Sequence, residues 1–463
     1  MHRLGLSRHF PATAAAAALC LAASGLGAAP AAEPTQQELL AELRTLRAKV
    51  EKLEQARAEH ENKPTAREVD AAVDAVLKNA DERSQLLQAT GFTAGYDKGK
   101  FLIQSENGDF TLSPSFQFQL RYVASYRSED GVTPVDGDAN AESGLEVRRL
   151  KMAFAGNAFG PNTKYKFQWG VDRNDGSLEL EEAYVLQKLT FAPDFWVRAG
   201  QYKDVTFHEE SMSSRRQLAV DRSLANEFLA GGQTDFVQGV GLVWDDGDEG
   251  LPLRGEVGYV DGPNTDNTNF ADGGGGPAFD AASPDFGVYG RIEHLAFGDW
   301  THYDDFTTMG NIQDTLVVGA GAFFTQAGDS DVLFHTFDAQ YEYNLLALYG
   351  AYYGVYSNNS AGGTNYDFGT VLQAGYMLGK KWEPFARYSL VSLESAAGGA
   401  DADDFHELTA GVNYYARAHA AKFTLDVTWL PHGVPSNQPG IGELDPDADD
   451  DQFVLRGQFQ LLL

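Results

Sequence analysis

Phe116-Gln117-Phe118-Gln119-Leu120-Arg121-Tyr122-Val123 decides the fold, because its apolar and polar residues alternate with a period of two. Successive side chains of a strand point to opposite sides. Phe116, Phe118, Leu120 and Tyr122 therefore make a face suited to lipid, and Gln117, Gln119 and Arg121 make a polar one. A soluble sandwich shows the same alternation, so the choice rests on the rest of the chain. The pattern returns where Tyr165, Phe167, Trp169 and Val171 oppose Lys164, Lys166 and Gln168, and where Leu150, Met152 and Phe154 oppose Arg149 and Lys151. Three early strands thus project positive charge to one side. Further strands are predicted at 316–325, 334–343, 345–356, 368–378, 383–393, 407–416, 422–430 and 452–463. In the last of these Phe453, Leu455, Phe459, Leu461 and Leu463 share a face, opposite Arg456, Gln458 and Gln460. Polar stretches such as 261–283 and 445–451 lie between strands, and long loops alternating with tight turns are expected of outer-membrane barrels.

Composition points the same way. The 463 residues include 49 Gly, 20 Tyr and 29 Phe with a single Cys, and the mean hydropathy is negative. Transmembrane barrels combine these features because only every second strand residue faces lipid. Beyond the N-terminus no apolar run reaches the roughly 20 residues that a helical span needs.

Residues 1–32 read as a cleaved secretory signal: Arg3 and Arg8, an apolar alanine-rich stretch, then small residues around Ala29-Pro30-Ala31. A buried N-terminal helix is the other reading. Cys20 follows Leu19, a poor neighbour for lipidation, and after ordinary cleavage no thiol remains for disulfides or cysteine-metal sites. Residues 33–90 read as a periplasmic helical segment. Leu39, Leu43, Leu46, Val50 and Leu53 form a short coiled-coil seam, and Thr65 with Glu68 makes a capping box for a second helix after Pro64. Two heptads are marginal alone, which favours association in a trimer; one amphipathic helix packed on the remainder is the alternative. The barrel is assigned to 91–463.

The formal net charge of −31 argues against nucleic acid as a partner. Its distribution is uneven. From residue 231 onward acids outnumber bases by roughly four to one, whereas 91–230 is near parity. Within the latter, residues 203–228 form a polar loop carrying Arg215, Arg216 and Arg222, and a loop folded into a barrel would bring these guanidiniums into the bore.

Several anchors, in this order, resemble the phosphate-selective porin O and P family of trimeric outer-membrane channels. They are G-Y-D-K-G-K-F at 95–101, L-E-V-R-R-L-K at 145–151, E-E-A-Y-V at 181–185, A-G-Q-Y-K at 199–203, E-P-F-A-R-Y-S at 383–389 and A-G-V-N-Y-Y-A-R-A-H-A-A-K-F-T-L-D at 410–426. The resemblance implies an all-β protein: a transmembrane antiparallel barrel of about 16 strands, here preceded by the short coiled-coil segment. It also implies three barrels per assembly and basic residues along each pore. Arg148, Arg149 and Lys203 match basic positions of the family pattern, and 207–228 looks like its constriction loop.

A permeating anion sheds water in a narrow bore, and fixed positive groups must offset that loss. Arg suits oxyanions through its planar fork, and Lys acts as a compact charge. The expected solute-contacting set is Arg121, Arg148, Arg149, Lys151, Lys164, Lys166, Lys203, Arg215, Arg216 and Arg222. The expected function is passive diffusion of small hydrophilic solutes, above all anions such as phosphate or polyphosphate, with no cofactor and no metal. Glu209, Glu210 and Asp221 sit beside the loop arginines, and Glu179, Glu181 and Glu182 add more acid, so a general or cation-preferring porin stays open. The Asp445 to Asp451 run lacks the glycine and terminal glutamate of an EF-hand loop and reads as a solvated loop. An enzyme is not expected: neither G-x-S-x-G nor H-E-x-x-H occurs, and His208-Glu209-Glu210-Ser211 reads as an ordinary polar loop. An anchoring barrel, with outer-membrane lipids around it and its helical segment against peptidoglycan, is a third reading.

Overall fold

The computed structural model describes residues 45, 48–49, 91–97, 100–127, 141–173, 175–245, 251–265, 267, 284–359, 363–394, 403–435 and 451–463. The signal peptide, nearly all of the helical segment and the acidic run up to Asp450 lie outside them; Thr45, Ala48 and Lys49 are helical. Of the two units into which the chain divides, Met1–Leu86 and Leu87–Leu463, the second carries the sheet.

A hairpin, β1 (Phe92–Asp97) and β2 (Lys100–Ser105), leads into β3 (Thr111–Arg127). Chain order then runs through β4 (Ala141–Asn157), β5 (Thr163–Val171), β6 (Leu178–Lys188), β7 (Phe195–Lys203), β8 (Phe236–Trp244), β9 (Leu253–Val260), β10 (Phe286–Phe297) and β11 (Gln313–Ala327). It finishes with β12 (Ser330–Asn344), β13 (Leu346–Asn359), β14 (Gly363–Tyr376), β15 (Trp382–Leu393), β16 (Asp403–Arg417), β17 (Ala421–Leu430) and β18 (Gln452–Leu462). From β3 on, each strand pairs antiparallel with the next, and β18 returns to β3 with Gln452 opposite Arg127 and Leu462 opposite Gln117. Sixteen strands, β3 to β18, thus close on themselves, and closure removes the open edges that lipid would leave unsatisfied. Among the described residues no helix is long and apolar enough to cross a membrane.

The period of two read at Phe116 holds in three dimensions. Gln117, Gln119 and Arg121 are buried inside, while Phe116 and Tyr122 are exposed outside. β18 repeats this, with Arg456, Gln458 and Gln460 buried and Phe453 and Leu455 exposed. The predicted later strands all form, with ends moved by a few residues. β1, β2 and β6 to β10 are not marked as strands by the sequence, and among them β8, β9 and β10 are rich in glycine. Their glycines, as in Val237-Gln238-Gly239-Val240-Gly241, dilute the alternation that marks the other strands.

The strand ends joined by 128–140, 204–235, 261–285, 394–402 and 431–451 lie at one end of the barrel, and those joined by the tight turns 158–162, 345 and 418–420 at the other. Segment 298–312 breaks the rule by being long at the short-turn end.

Candidate functional site

The loop 204–235 folds inward and carries three short helices, α1 (His208–Ser211), α2 (Leu224–Leu229) and α3 (Gly231–Thr234). Phe207, Leu218, Leu224, Ala225 and Leu229 are buried against inward-facing Phe334, Tyr353, Val371 and Val391. The ring of Phe207 sits 5.7 Å from that of Tyr353. Segment 298–312 enters from the opposite end and meets the loop, with His208 stacked on Tyr303 at 3.9 Å and Phe306 against Tyr349 at 4.8 Å. Gly321 is required beneath the loop: a Cβ there would stand 2.4 Å from the Thr206 carbonyl oxygen. One side of the lumen is therefore filled, and the cavities left open are lined by residues from β4 to β10.

Ionic bonds fix the loop as firmly as the apolar contacts do. Arg387 on β15 donates to the carbonyls of Asp221 at 2.8 Å and Arg222 at 3.1 Å, and its fork engages Glu407 at 2.9 and 2.6 Å. The backbone N–H of Leu224 donates to Glu407 and that of Ala225 to Ser389. Arg222 donates to the carbonyls of Glu209, Glu210 and Met212 and pairs with Glu210 at 3.1 Å. Its donors are thus spent inside the loop as a clasp.

On the open wall, β-bulges shape the charge pattern. Gln119 stands opposite Arg149 and Leu120 opposite Val147, so Arg148 is an extra residue in β4. A bulge re-aims side chains, and here it turns Arg148 and Arg149 to the same side although they are neighbours. A second bulge leaves Glu181 extra in β6, between Glu182 opposite Gln168 and Leu180 opposite Trp169. Glu181 and Glu182 consequently both face inward, where Lys151 pairs with Glu181 at 2.6 Å and Lys166 pairs with Glu182.

Asp221, at the loop's tip, is the centre of a guanidinium cluster. Arg121 binds it directly, with Arg148 at 3.3 Å, Arg149 at 3.5 Å and Arg456 at 3.6 Å. Burial pushes the Asp221 carboxyl up, but these four arginines together hold it well below the usual carboxylate range. Arg121 also pairs with Glu146, and Arg456 with Asp426 at 2.8 Å. Arg121 and Arg456 are 1% and 0% exposed, so only Arg148 and Arg149 of the four reach the bore. They line a cavity of about 180 Å³ together with Lys151, Arg173, Glu179 and Glu181.

The other expected residues are placed as follows. Lys164 lies over the Trp196 ring at 4.4 Å. Lys203, at the end of β7, pairs with Glu210 and stands 3.9 Å from Asp235. Arg216 donates to the Asp304 carbonyl at 2.6 Å, tying the loop to segment 298–312. Arg215 is half-buried and makes no ion pair among the described residues.

Arg198, Arg254 and Arg291 were not singled out from sequence, yet they line a second cavity of about 200 Å³ toward the short-turn end, with Glu256 and Glu293. Arg198 pairs with Glu256 at 3.1 Å, and Arg291 holds Asp338 through two contacts of 2.8 Å. The sequence signal was present: Trp196, Arg198 and Tyr202 keep the period of two.

Loop residue Glu227 adds a pH-dependent charge. Burial, then the nearby Glu210 carboxylate, push it up to about 7. It is charged above that pH and neutral below. Lowering the pH from 8 to 6 is therefore expected to remove a negative charge from the bore's edge and raise the anion-to-cation permeability ratio. Reversal potentials across that range, with Glu227→Gln showing a smaller change, check this.

A closed sixteen-stranded barrel with an inward loop and an ionic bore has the architecture of porin-type outer-membrane barrels. Residues 116–321 match the model of the phosphate-selective porin O and P family, in accord with the motif resemblance over that span. Among curated proteins none matches. An anion-selective porin from Comamonas acidovorans is similar in structure, with TM-score 0.54, 13% identity, and coverage of 76% of this chain and 99% of that one. The outer membrane channel DcaP of Acinetobacter baumannii gives TM-score 0.47 at 12% identity, covering 77% of this chain and 99% of its own. At such identities the first likeness speaks for the fold alone.

Proposed function

We propose that this porin passes small hydrophilic anions, phosphate among them, by passive diffusion through its one-sided bore. The bulge that presents Arg148 and Arg149 together to the open cavity carries the reading. Their partner Asp221 is shared with two further arginines, so the pair keeps positive charge to offer a solute. Lys151, Lys166 and Lys203 are each neutralised by a carboxylate. They supply alternating weak steps, as conduction requires. The chain is exported by its signal peptide, and residues 33–90 lie in the periplasm, where the coiled coil supports a homotrimer and reaches toward peptidoglycan.

The test is the reversal potential of refolded protein in a planar bilayer under a KCl gradient, repeated with added phosphate. Anion selectivity with phosphate block is the expected result. Cation selectivity would overturn the anion reading and favour a general or cation-preferring porin ruled by Glu179, Glu181 and Glu210. Folded protein that does not conduct would favour the anchor.

Asp221→Asn sharpens this. The loop stays pinned through Arg387, and one negative charge leaves the cluster. A unit charge at 4 Å is worth about 1 kcal/mol in water-like surroundings, so the anion-to-cation ratio should rise roughly fivefold. An unchanged reversal potential would show that the cluster is insulated from the bore.

A further inference from the structure

The outer face carries a groove that the pore does not use. Five outward positions across β12 to β16 hold the smallest side chains: Ala339 opposite Gly350, and Ala374 opposite Ala386, itself opposite Ala410. Leu372, Tyr388, Leu408 and Trp429 rise around this floor and line the same apolar hollow. Leu372 and Leu408 are exposed, as expected of a surface meant for hydrocarbon. At about 4.8 Å between strands, the five steps from β12 to β17 make a slot of roughly 24 Å. It is inclined: Trp429 adjoins the last residue of β17 at the long-loop end, whereas Ala339 lies deep within β12.

The long-loop end of the slot is polar. The Tyr388 hydroxyl lies 2.8 Å from His406 Nδ1, and the His406 ring is 5.2 Å from that of His432. His406 points outward, since its neighbours Phe405 and Glu407 are buried in the lumen. Whichever of the two donates, the pair keeps one further hydrogen, on His406 Nε2 or on the Tyr388 hydroxyl, for another acceptor. Imidazoles beside hydrocarbon are unfavourable without a polar partner. A narrow apolar slot with hydrogen-bond donors at its outer end has the polarity of an amphiphile. A second copy of the chain would need a broad matching face and would leave the Tyr388–His406–His432 cap without an acceptor.

We infer that the groove binds one acyl chain of a phosphorylated membrane lipid, with the headgroup phosphate at Tyr388, His406 and His432. This rests on the barrel standing in a membrane, and not on which solute the bore passes.

Native mass spectrometry of the intact refolded protein tests it, offering dipalmitoyl phosphatidic acid or the matching diacylglycerol. Wild type is expected to retain the phosphorylated lipid roughly tenfold better, a difference of about 1.4 kcal/mol. Ala386→Phe, which fills the floor, should lose most retention of both lipids. His406→Ala with His432→Ala should lose the preference for phosphate and keep the tail. Unchanged strand content by circular dichroism excludes misfolding, and conductance recorded in parallel reports on the pore separately. Equal retention of the two lipids by wild type would overturn the headgroup assignment. Equal retention by wild type and Ala386→Phe would overturn the groove. If Ala386→Phe instead dissociated an oligomer and left lipid retention unchanged, the face would belong to a second copy and the inference would fail.

Discussion

Replacing Arg148 and Arg149 together with alanine is expected to carry the reversal potential in a KCl gradient from the anion side to the cation side. Both guanidiniums reach the bore because Arg148 is the extra residue of a bulge, and both lean on a carboxylate, Asp221, that Arg121 already neutralises. Removing them deletes two positive charges and leaves Glu179 and Glu181 on the same cavity wall. At about 1 kcal/mol per charge in water-like surroundings, the permeability ratio should fall roughly 30-fold. Added salt should shrink the effect, since screening acts within about 10 Å at 0.1 M. Each single variant should produce part of the change. Lys166→Met should change less, because it removes one positive charge where the double variant removes two. A double variant with wild-type selectivity would place the selective step elsewhere, with the Arg198–Arg254–Arg291 cavity as the next site to probe.

Much of this was legible in the chain, and the limits have physical causes. The period of two at Phe116–Val123 survives unchanged because a closed barrel keeps lipid on one side of every strand. The same rule read literally would send Arg148 outward. Only a bulge reconciles it with its neighbour, and a bulge is a property of pairing between strands that one strand's sequence does not reveal. The inward course of the loop left a trace: Leu346-Ala347-Leu348-Tyr349-Gly350-Ala351-Tyr352-Tyr353 is apolar on both faces. A strand wetted on its lumen side would alternate, as β3 does; β13 instead meets lipid outside and a packed loop inside, so Tyr349 and Tyr353 are buried. Arg222 shows the opposite failing. Its place in an arginine-rich loop suggested contact with solute, but a loop crossing a lumen must satisfy its own carbonyls, and that need consumes the side chain. The carboxylates beside the basic residues were visible from the start. Their geometry converts a suspected cancellation into a specific pattern, with Lys151, Lys166 and Lys203 each paired and the Asp221 cluster left rich in arginine.

Arg387→Ala is expected to loosen the constriction loop, raising and destabilising the conductance while lowering the barrel's resistance to urea. Arg387 is 4% exposed, and it joins Glu407 on the wall to two successive loop carbonyls. Removing one partner of a buried pair typically costs about 3 to 5 kcal/mol, because the other charge stays buried and uncompensated. Here Glu407 would still accept from the Leu224 N–H, so the loss should fall toward the lower end. The loop would keep its apolar footing at Phe207, Leu224 and Leu229, which predicts fluctuation between conducting levels in place of one wide-open state. Arg387→Lys separates charge from geometry. An ammonium can neutralise Glu407 but has no planar fork to span the Asp221 and Arg222 carbonyls, so stability should recover more than the steadiness of the current. If Arg387→Ala lowered the unfolding midpoint and left single-channel records unchanged, the apolar footing alone would be holding the loop, and the ionic clasp would matter to folding only.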